Sequence, residues 1–204
     1  MAASWGIVVP VKRLDLAKTR LASYGEGPRR ALALAFAADV VLAAVQVAEV
    51  LVVTDDDEAA EALLALGARV VADDPNDGLN PALEHGAELL RAGNRLLGVA
   101  TLSADLPALR PLDLADALAQ VAAGQRGFVP DHEGTGTTLL AAGPGVLLQA
   151  AFGPGSRAGH LASGARELLA APGLRRDVDT PDDLAAALQL GVGPHTAAAA
   201  VGLT

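Results

Sequence analysis

Gly98-Val-Ala-Thr-Leu-Ser-Ala-Asp-Leu-Pro107 is the stretch that decides how this chain folds. Leu96 to Leu102 is a short apolar run without charge, set behind the polar Arg91-Ala-Gly-Asn-Arg95. In a chain that alternates strand and helix patterns, such a run predicts a buried parallel strand. Asp105 follows it almost at once, and Leu106-Pro107 turns the chain away. Open α/β sheets bind ligands at the carboxyl ends of their strands, so a carboxylate there is a candidate magnesium ligand. The competing reading makes Asp105 the cap of a helix beginning near Pro111, although Asp113 stands nearer to that helix start.

Upstream of this strand, Trp5 to Val11 predicts the first strand, and Lys12, Arg13, Lys18 and Arg20 crowd the loop after it. Four cations in one loop of an acidic chain form either a solvated surface or a clamp for polyphosphate. The loop has neither the Gly-x-x-x-x-Gly-Lys nor the Gly-x-Gly-x-x-Gly pattern, so any nucleotide site is of another kind. Helix periodicity covers Pro28 to Val45, a strand Glu49 to Thr54, a helix Glu58 to Leu66 and a short strand Ala68 to Ala72. Asp55-Asp-Asp57 is explained by capping and by the helix dipole. In Asp73-Asp-Pro-Asn-Asp-Gly-Leu-Asn-Pro81, Asn80 is the expected N-cap with Pro81 at the first helical position. Main-chain amides exposed in that loop could also read a purine edge.

Downstream, Leu112 to Ala123 predicts a helix and Gly127 to Pro130 a strand. Gly134-Thr-Gly-Thr-Thr138 and Phe152-Gly-Pro-Gly-Ser156 each combine glycine with hydroxyls, the composition of an anion-binding nest of backbone amides. Arg175 to Val178 reads as a short strand, which would turn Asp177 and Asp179 to one side. Thr180 then caps a helix starting at Pro181. Asp-x-Asp-x-Thr also opens haloacid-dehalogenase phosphatases, but there it stands at the start of the domain, and here about 25 residues follow it.

The 204 residues fit one α/β domain, 1–204, long enough for a full core. Hydrophobic residues make up 51% but aromatic ones only 2%, so that core is aliphatic. A net charge of −9 argues against nucleic acid or an anionic membrane as partner. The absence of cysteine excludes disulfides, thiol catalysis and cysteine metal sites. The most apolar segment, Ala31 to Val50, carries Asp39, Gln46 and Glu49 and is a core helix running into a strand rather than a membrane span. No signal peptide is seen before the first strand, and the expected location is the cytoplasm.

Taken together, Val-Pro-Val-Lys12, Ala-Lys-Thr-Arg-Leu21, Asp-Gly-Leu-Asn-Pro-Ala-Leu83, Ala-Asp-Leu-Pro107, Gly-Thr-Gly-Thr-Thr138, Phe-Gly-Pro-Gly-Ser156 and Asp-Val-Asp-Thr-Pro-Asp-Asp-Leu184 resemble the 2-phospho-L-lactate guanylyltransferase family of coenzyme F-420 biosynthesis. The resemblance runs from about residue 7 to 192 with the motifs in order. Ser103-Ala104 departs from it, since the family often has glycine before the aspartate. It implies a nucleotide-diphosphosugar-transferase-like (GT-A, Rossmann-like) fold with a mixed, mostly parallel sheet between helices. It also implies GTP as donor and a three-carbon phosphoacid as acceptor: phosphoenolpyruvate first, with 2-phospho-L-lactate and 3-phospho-D-glycerate as alternatives. The product would be enolpyruvoyl-2-diphospho-5′-guanosine, passed to the next enzyme of the pathway; a homodimer is left open.

On this resemblance Asp105, Asp177 and Asp179 hold Mg2+, with Asp105, Lys12 and Lys18 catalytic. Lys12, Lys18 and Arg20 screen the triphosphate. The loop from Pro75 to Asn80 faces guanine or ribose, with Asn80 reading the base. Thr137, Gly153 and Ser156 hold the phosphoacid. An acceptor phosphate is already anionic, so the chemistry needs charge neutralisation and alignment rather than a Ser, Cys or His base. Two rival readings are a nucleotidyltransferase for molybdopterin or a sugar phosphate on the same fold, and a nucleotide-binding protein without turnover.

Overall fold

The computed structural model describes residues 4–74 and 77–203; Pro75 and Asn76, at the front of the loop expected to face guanine, lie outside the described residues. In chain order the elements are β1 (Trp5–Pro10), α1 (Glu26–Ala44), β2 (Glu49–Val53), α2 (Asp57–Ala65), β3 (Arg69–Val71), α3 (Leu79–Gly93) and β4 (Gly98–Leu102). After these come α4 (Pro111–Ala119), β5 (Arg126–Pro130), β6 (Thr137–Ala142), α5 (Ser156–Ala162), β7 (Arg166–Glu167), α6 (Pro172–Arg175), α7 (Pro181–Leu190) and α8 (Pro194–Ala199). A short 3-10 turn, Thr19–Tyr24, precedes α1.

The strands form one seven-stranded sheet in the order β3-β2-β1-β4-β6-β5-β7. β3, β2, β1 and β4 run parallel, whereas β6 is antiparallel to both β4 and β5. The expected run at Leu96–Leu102 is β4, buried along its whole length between β1 and β6. Leu96 itself is outside it and exposed.

Strand alternation sorts the core into two layers. Ile7, Val9, Val50, Val52, Ala100 and Leu102 meet α1 and α4 on one face. Val8, Leu51, Val53 and Val99 meet α3 on the other through Ala82, Leu83, Ala87 and Leu90. Gly86 lets α3 lie close on the sheet, because a Cβ there would come within 2.8 Å of Val8 Cγ1. A third cluster, Leu21, Leu32, Phe36, Val178, Leu184 and Ala187, ties the 3-10 turn and α1 to α7 and to the segment before it. This cluster brings two distant site segments together. Among the described residues no helix is long and apolar enough to cross a membrane.

The structure revises several local expectations. The Gly134–Thr138 stretch is not all turn, because Thr137 opens β6. Residues 175–178 are not a strand: Pro172 starts the helical turn α6, which ends at Arg175, and β7 lies earlier, at Arg166–Glu167. The extended segment that follows α6 makes one sheet-like bond, from Val178 N to the Asp105 carbonyl at 3.0 Å. Asn80 is not an N-cap; Gly78 takes that place, at φ 96°, and Asn80 lies inside α3. Asp105 does not cap α4 either, since Arg110 stands at its N-cap. The caps at Asp56 and Thr180 are as expected, the latter completed by Asp183 into a reciprocal box.

Candidate active site

The loop from Val11 to Gly25 leaves the carboxyl end of β1 and is pinned from beneath. Asp56 Oδ2 accepts from Leu14 N at 2.8 Å, while its Oδ1 caps α2. The buried Arg29 guanidinium donates to the carbonyls of Asp15, Ala17 and Leu14. So held, the loop carries Lys18 in a left-handed conformation, φ 53°, and aims its side chain inward.

Lys18 Nζ lies 2.5 Å from Asp105 Oδ2 and 2.6 Å from Asp179 Oδ1. Burial alone would lower the lysine pKa, but the two carboxylates outweigh it and hold the ammonium above its ordinary value. Arg20 approaches the other oxygen of Asp179 at 3.7 Å from an exposed position. Asp105 Oδ1 is buried and has no hydrogen-bond partner among the described residues. These groups wall a cavity of about 460 Å³ with Pro10, Lys12, Ser103 and Ala104. A neighbouring cleft of about 250 Å³ is lined by Lys12, Thr54, Asp55, Gly78 and Leu79.

Asp177 takes another direction. Its Oδ1 is 3.3 Å from His132 Nδ1, and His132 Nε2 is 3.6 Å from Asp183. Burial, and then the charge of Asp105, push the Asp177 carboxyl up to about 6. Asp177 and Asp179 therefore do not share partners as an alternating strand would have them do. Among the described residues no three carboxylate or imidazole side chains converge as a ready-made metal site. The pair that does converge, Asp105 and Asp179, closes on the Lys18 ammonium.

The hydroxyls expected to meet the phosphoacid are buried and joined. Ser156 Oγ donates to Thr137 Oγ1 at 3.1 Å, and Thr137 Oγ1 is 2.9 Å from His160 Nδ1. The turn before them is not an open nest, because Asp131 accepts from Thr135 N at 2.9 Å and Gly136 N at 2.7 Å. A Cβ at Gly136 would sit 2.3 Å from Asp131 Oδ2, so the turn closes only with glycine there. Gly153, at φ 137°, shapes the exposed loop ahead of α5. Thr137 stands at the same sheet end as Asp105: Leu102 pairs with Leu139, and Ser103 N donates to the Thr138 carbonyl at 2.9 Å.

Asn80, expected at the nucleotide, also has a structural task. Its amide donates to the Phe152 carbonyl at 3.0 Å and accepts from Phe152 N at 2.8 Å. The amide thus ties α3 to the Gly153 loop through one hydrogen and one lone pair, leaving its second hydrogen and second lone pair. Sequence reasoning also passed over Arg29, Asp131, His132 and His160. Their partners lie 4 to 51 residues away, and no spacing pattern marks such pairs.

The guanylyl transferase CofC-like family model matches residues 5–198. The chain belongs to this family. The CofC-like chain is 59% identical over 202 residues to the phosphoenolpyruvate guanylyltransferase of Thermomonospora curvata, covering 97% of this chain and 89% of that protein. It is 56% identical over 209 residues to the phosphoenolpyruvate guanylyltransferase of Streptomyces scabiei, covering 98% and 97%. Among solved structures it resembles a nucleotidyl transferase from Methanothermobacter thermautotroptrophicus, with a TM-score of 0.63 at 19% identity over 92% of this chain and 97% of that one. At that identity the likeness concerns the fold, which is the nucleotidyltransferase-like mixed sheet expected from the sequence.

Proposed function

We propose that the protein transfers GMP from GTP to phosphoenolpyruvate, forming enolpyruvoyl-2-diphospho-5′-guanosine and pyrophosphate for the next enzyme of coenzyme F-420 biosynthesis. The observation that carries this reading is the Asp105–Lys18–Asp179 array at the carboxyl end of β4, in the wall of a cavity with cationic sides. The names of the two relatives supply the acceptor.

A phosphate oxygen of the acceptor attacks the α-phosphorus of GTP. As that P–O bond forms, the bond from the α-phosphorus to the oxygen bridging to the β-phosphate breaks, and pyrophosphate leaves with the electron pair. No proton has to be removed from the nucleophile, so the protein's work is alignment and charge neutralisation. Lys18 faces the triphosphate, and Lys12 and Arg20, both exposed at the cavity wall, screen it and the departing pyrophosphate. Thr137, Gly153 and Ser156 hold the phosphoacid. The smaller cleft beside Gly78 and Leu79 takes guanine and ribose, with the loop main chain and Asn80 reading the base.

The residues present suit Mg2+. Asp105 and Asp179 already close on one cation, the Lys18 ammonium, and the unpartnered Asp105 Oδ1 is a hard oxygen donor. Asp177 is the third proposed carboxylate, and it would have to turn from His132, 3.3 Å away, to join the pair. Bound there, the ion supplies charge neutralisation at the reacting phosphates.

Pyrophosphate release tests the reading, with GTP or ATP as donor and each of the three phosphoacids as acceptor. Phosphoenolpyruvate with GTP should be the best pair, and GTP should lead ATP by about tenfold to a hundredfold, as befits one or two buried hydrogen bonds to the base. Preference for a sugar phosphate or a pterin phosphate would overturn the proposed acceptor, and equal use of ATP would overturn the base reading.

A further inference from the structure

His160 has no part in the reading above, yet both of its ring nitrogens are hydrogen-bonded beside the acceptor segments. It is fully buried, edge-on to Phe152 with ring centroids 5.2 Å apart and tilted against Phe128 at 5.7 Å. Its Nε2 lies 3.1 Å from Ala151 N. A main-chain N–H can only donate, so Nε2 must be the bare, accepting nitrogen. The proton of the neutral ring is then on Nδ1, and Nδ1–H donates to Thr137 Oγ1 at 2.9 Å. Thr137 Oγ1 has two lone pairs; His160 fills one and the Ser156 hydroxyl the other. The group left to Thr137 is its own proton, which has to point away from both donors. Burial, and then the charge of Arg126, lower the His160 pKa to about 4, which keeps the ring neutral at physiological pH.

We infer that His160 is a positioning residue: through its Nδ1–H it turns the Thr137 hydroxyl so that the Thr137 proton is presented to the anionic acceptor. The inference rests on the reading of Thr137 as part of the acceptor pocket. Phe152 links the arrangement further, since its main chain is clasped by Asn80 while its ring packs on His160.

Two amide variants separate the two ring nitrogens. The Asn amide nitrogen reaches the place of Nδ1, whereas a Gln amide reaches that of Nε2. H160N therefore keeps a donor for Thr137 and loses the Ala151 contact; H160Q keeps an acceptor for Ala151 and loses the Thr137 donor. H160Q should raise the KM for phosphoenolpyruvate about tenfold, the worth of one oriented hydrogen bond to an anion, with the KM for GTP unchanged. H160N should raise it several-fold less. In a T137V background, H160Q should add nothing further to the acceptor KM. Nitrogen NMR of the ligand-free wild-type protein should find His160 protonated at Nδ1 and bare at Nε2. A proton on Nε2, or equal effects of both variants on both substrates, would overturn the positioning role. If T137V itself leaves the acceptor KM unchanged, the acceptor-pocket reading fails, and the inference with it. If T137V raises that constant and H160Q does not, the inference alone fails.

Discussion

Asp105 holds Lys18 with one oxygen at 2.5 Å and keeps the other buried, without a partner among the described residues. Replacing it by Asn preserves shape and removes charge, so Asp105→Asn should lower turnover by about a hundredfold or more, as loss of a single transition-state electrostatic contact does. Circular dichroism should find the variant folded; near-normal turnover would remove Asp105 from the chemistry. Asp177→Asn and Asp179→Asn should act in the same direction and, if all three hold one metal as proposed, less than additively with it. Lys18 and Thr137 should fail differently. Thr137→Val deletes a hydroxyl and should weaken the phosphoacid by about 1–2 kcal/mol. Lys18→Ala should instead raise the KM for GTP or lower kcat. The Michaelis constants for both substrates in both variants decide it, and a rise confined to GTP in Thr137→Val would contradict the pocket assignment.

Among the elements, α8 depends on one buried carboxylate from α1. Asp39 is 4% exposed, and its oxygens accept from His195 N at 3.0 Å and Thr196 N at 2.8 Å. Asp39→Ala leaves both amides without an acceptor and should cost about 1–3 kcal/mol, read as a drop of roughly 2–4 °C per kcal/mol in thermal midpoint. An unchanged midpoint would mean that α8 contributes nothing to the fold. Elements whose cues are local were legible in the sequence: β4 from its uncharged run, α2 and α7 from caps at Asp56 and Thr180. Elements set by distant contacts were not. Residues 175–178 look β-like in isolation, but Pro172 and a single bond to Asp105 make them a helical turn and an extended segment. Asn80 looks like a cap, and Phe152, 72 residues away, claims its amide.

For the molecule as a whole, stability should respond to pH through His160. In the folded state its pKa is lowered to about 4, whereas an unfolded imidazole protonates near 6.5. Between those values the unfolded chain binds more protons, so stability is greatest above pH 6.5 and is lost as pH falls toward 4, by up to about 3 kcal/mol. Other carboxylates titrate in this range too, so the test is the difference between wild-type protein and H160N in urea unfolding at pH 7 and pH 4.5. The variant should lose less stability than wild type between the two; parallel curves would mean that the histidine is not held neutral. The same contrast limits what the sequence could tell of the site. Asp105, Lys18 and Asp179 could be marked by residue type and place after strands, and the fold brings them within bonding distance. Asp177 could be marked too, but its partner His132 could not, because their meeting depends on how α6 and the β5–β6 turn pack. The account stands or falls on what the protein makes. Mass spectrometry of a reaction holding GTP, Mg2+ and phosphoenolpyruvate should find a species in which GMP is joined through a diphosphate to enolpyruvate, formed in step with pyrophosphate and missing with Asp105→Asn. Free GMP with no joined product, or a joined product formed equally well by Asp105→Asn, would contradict it.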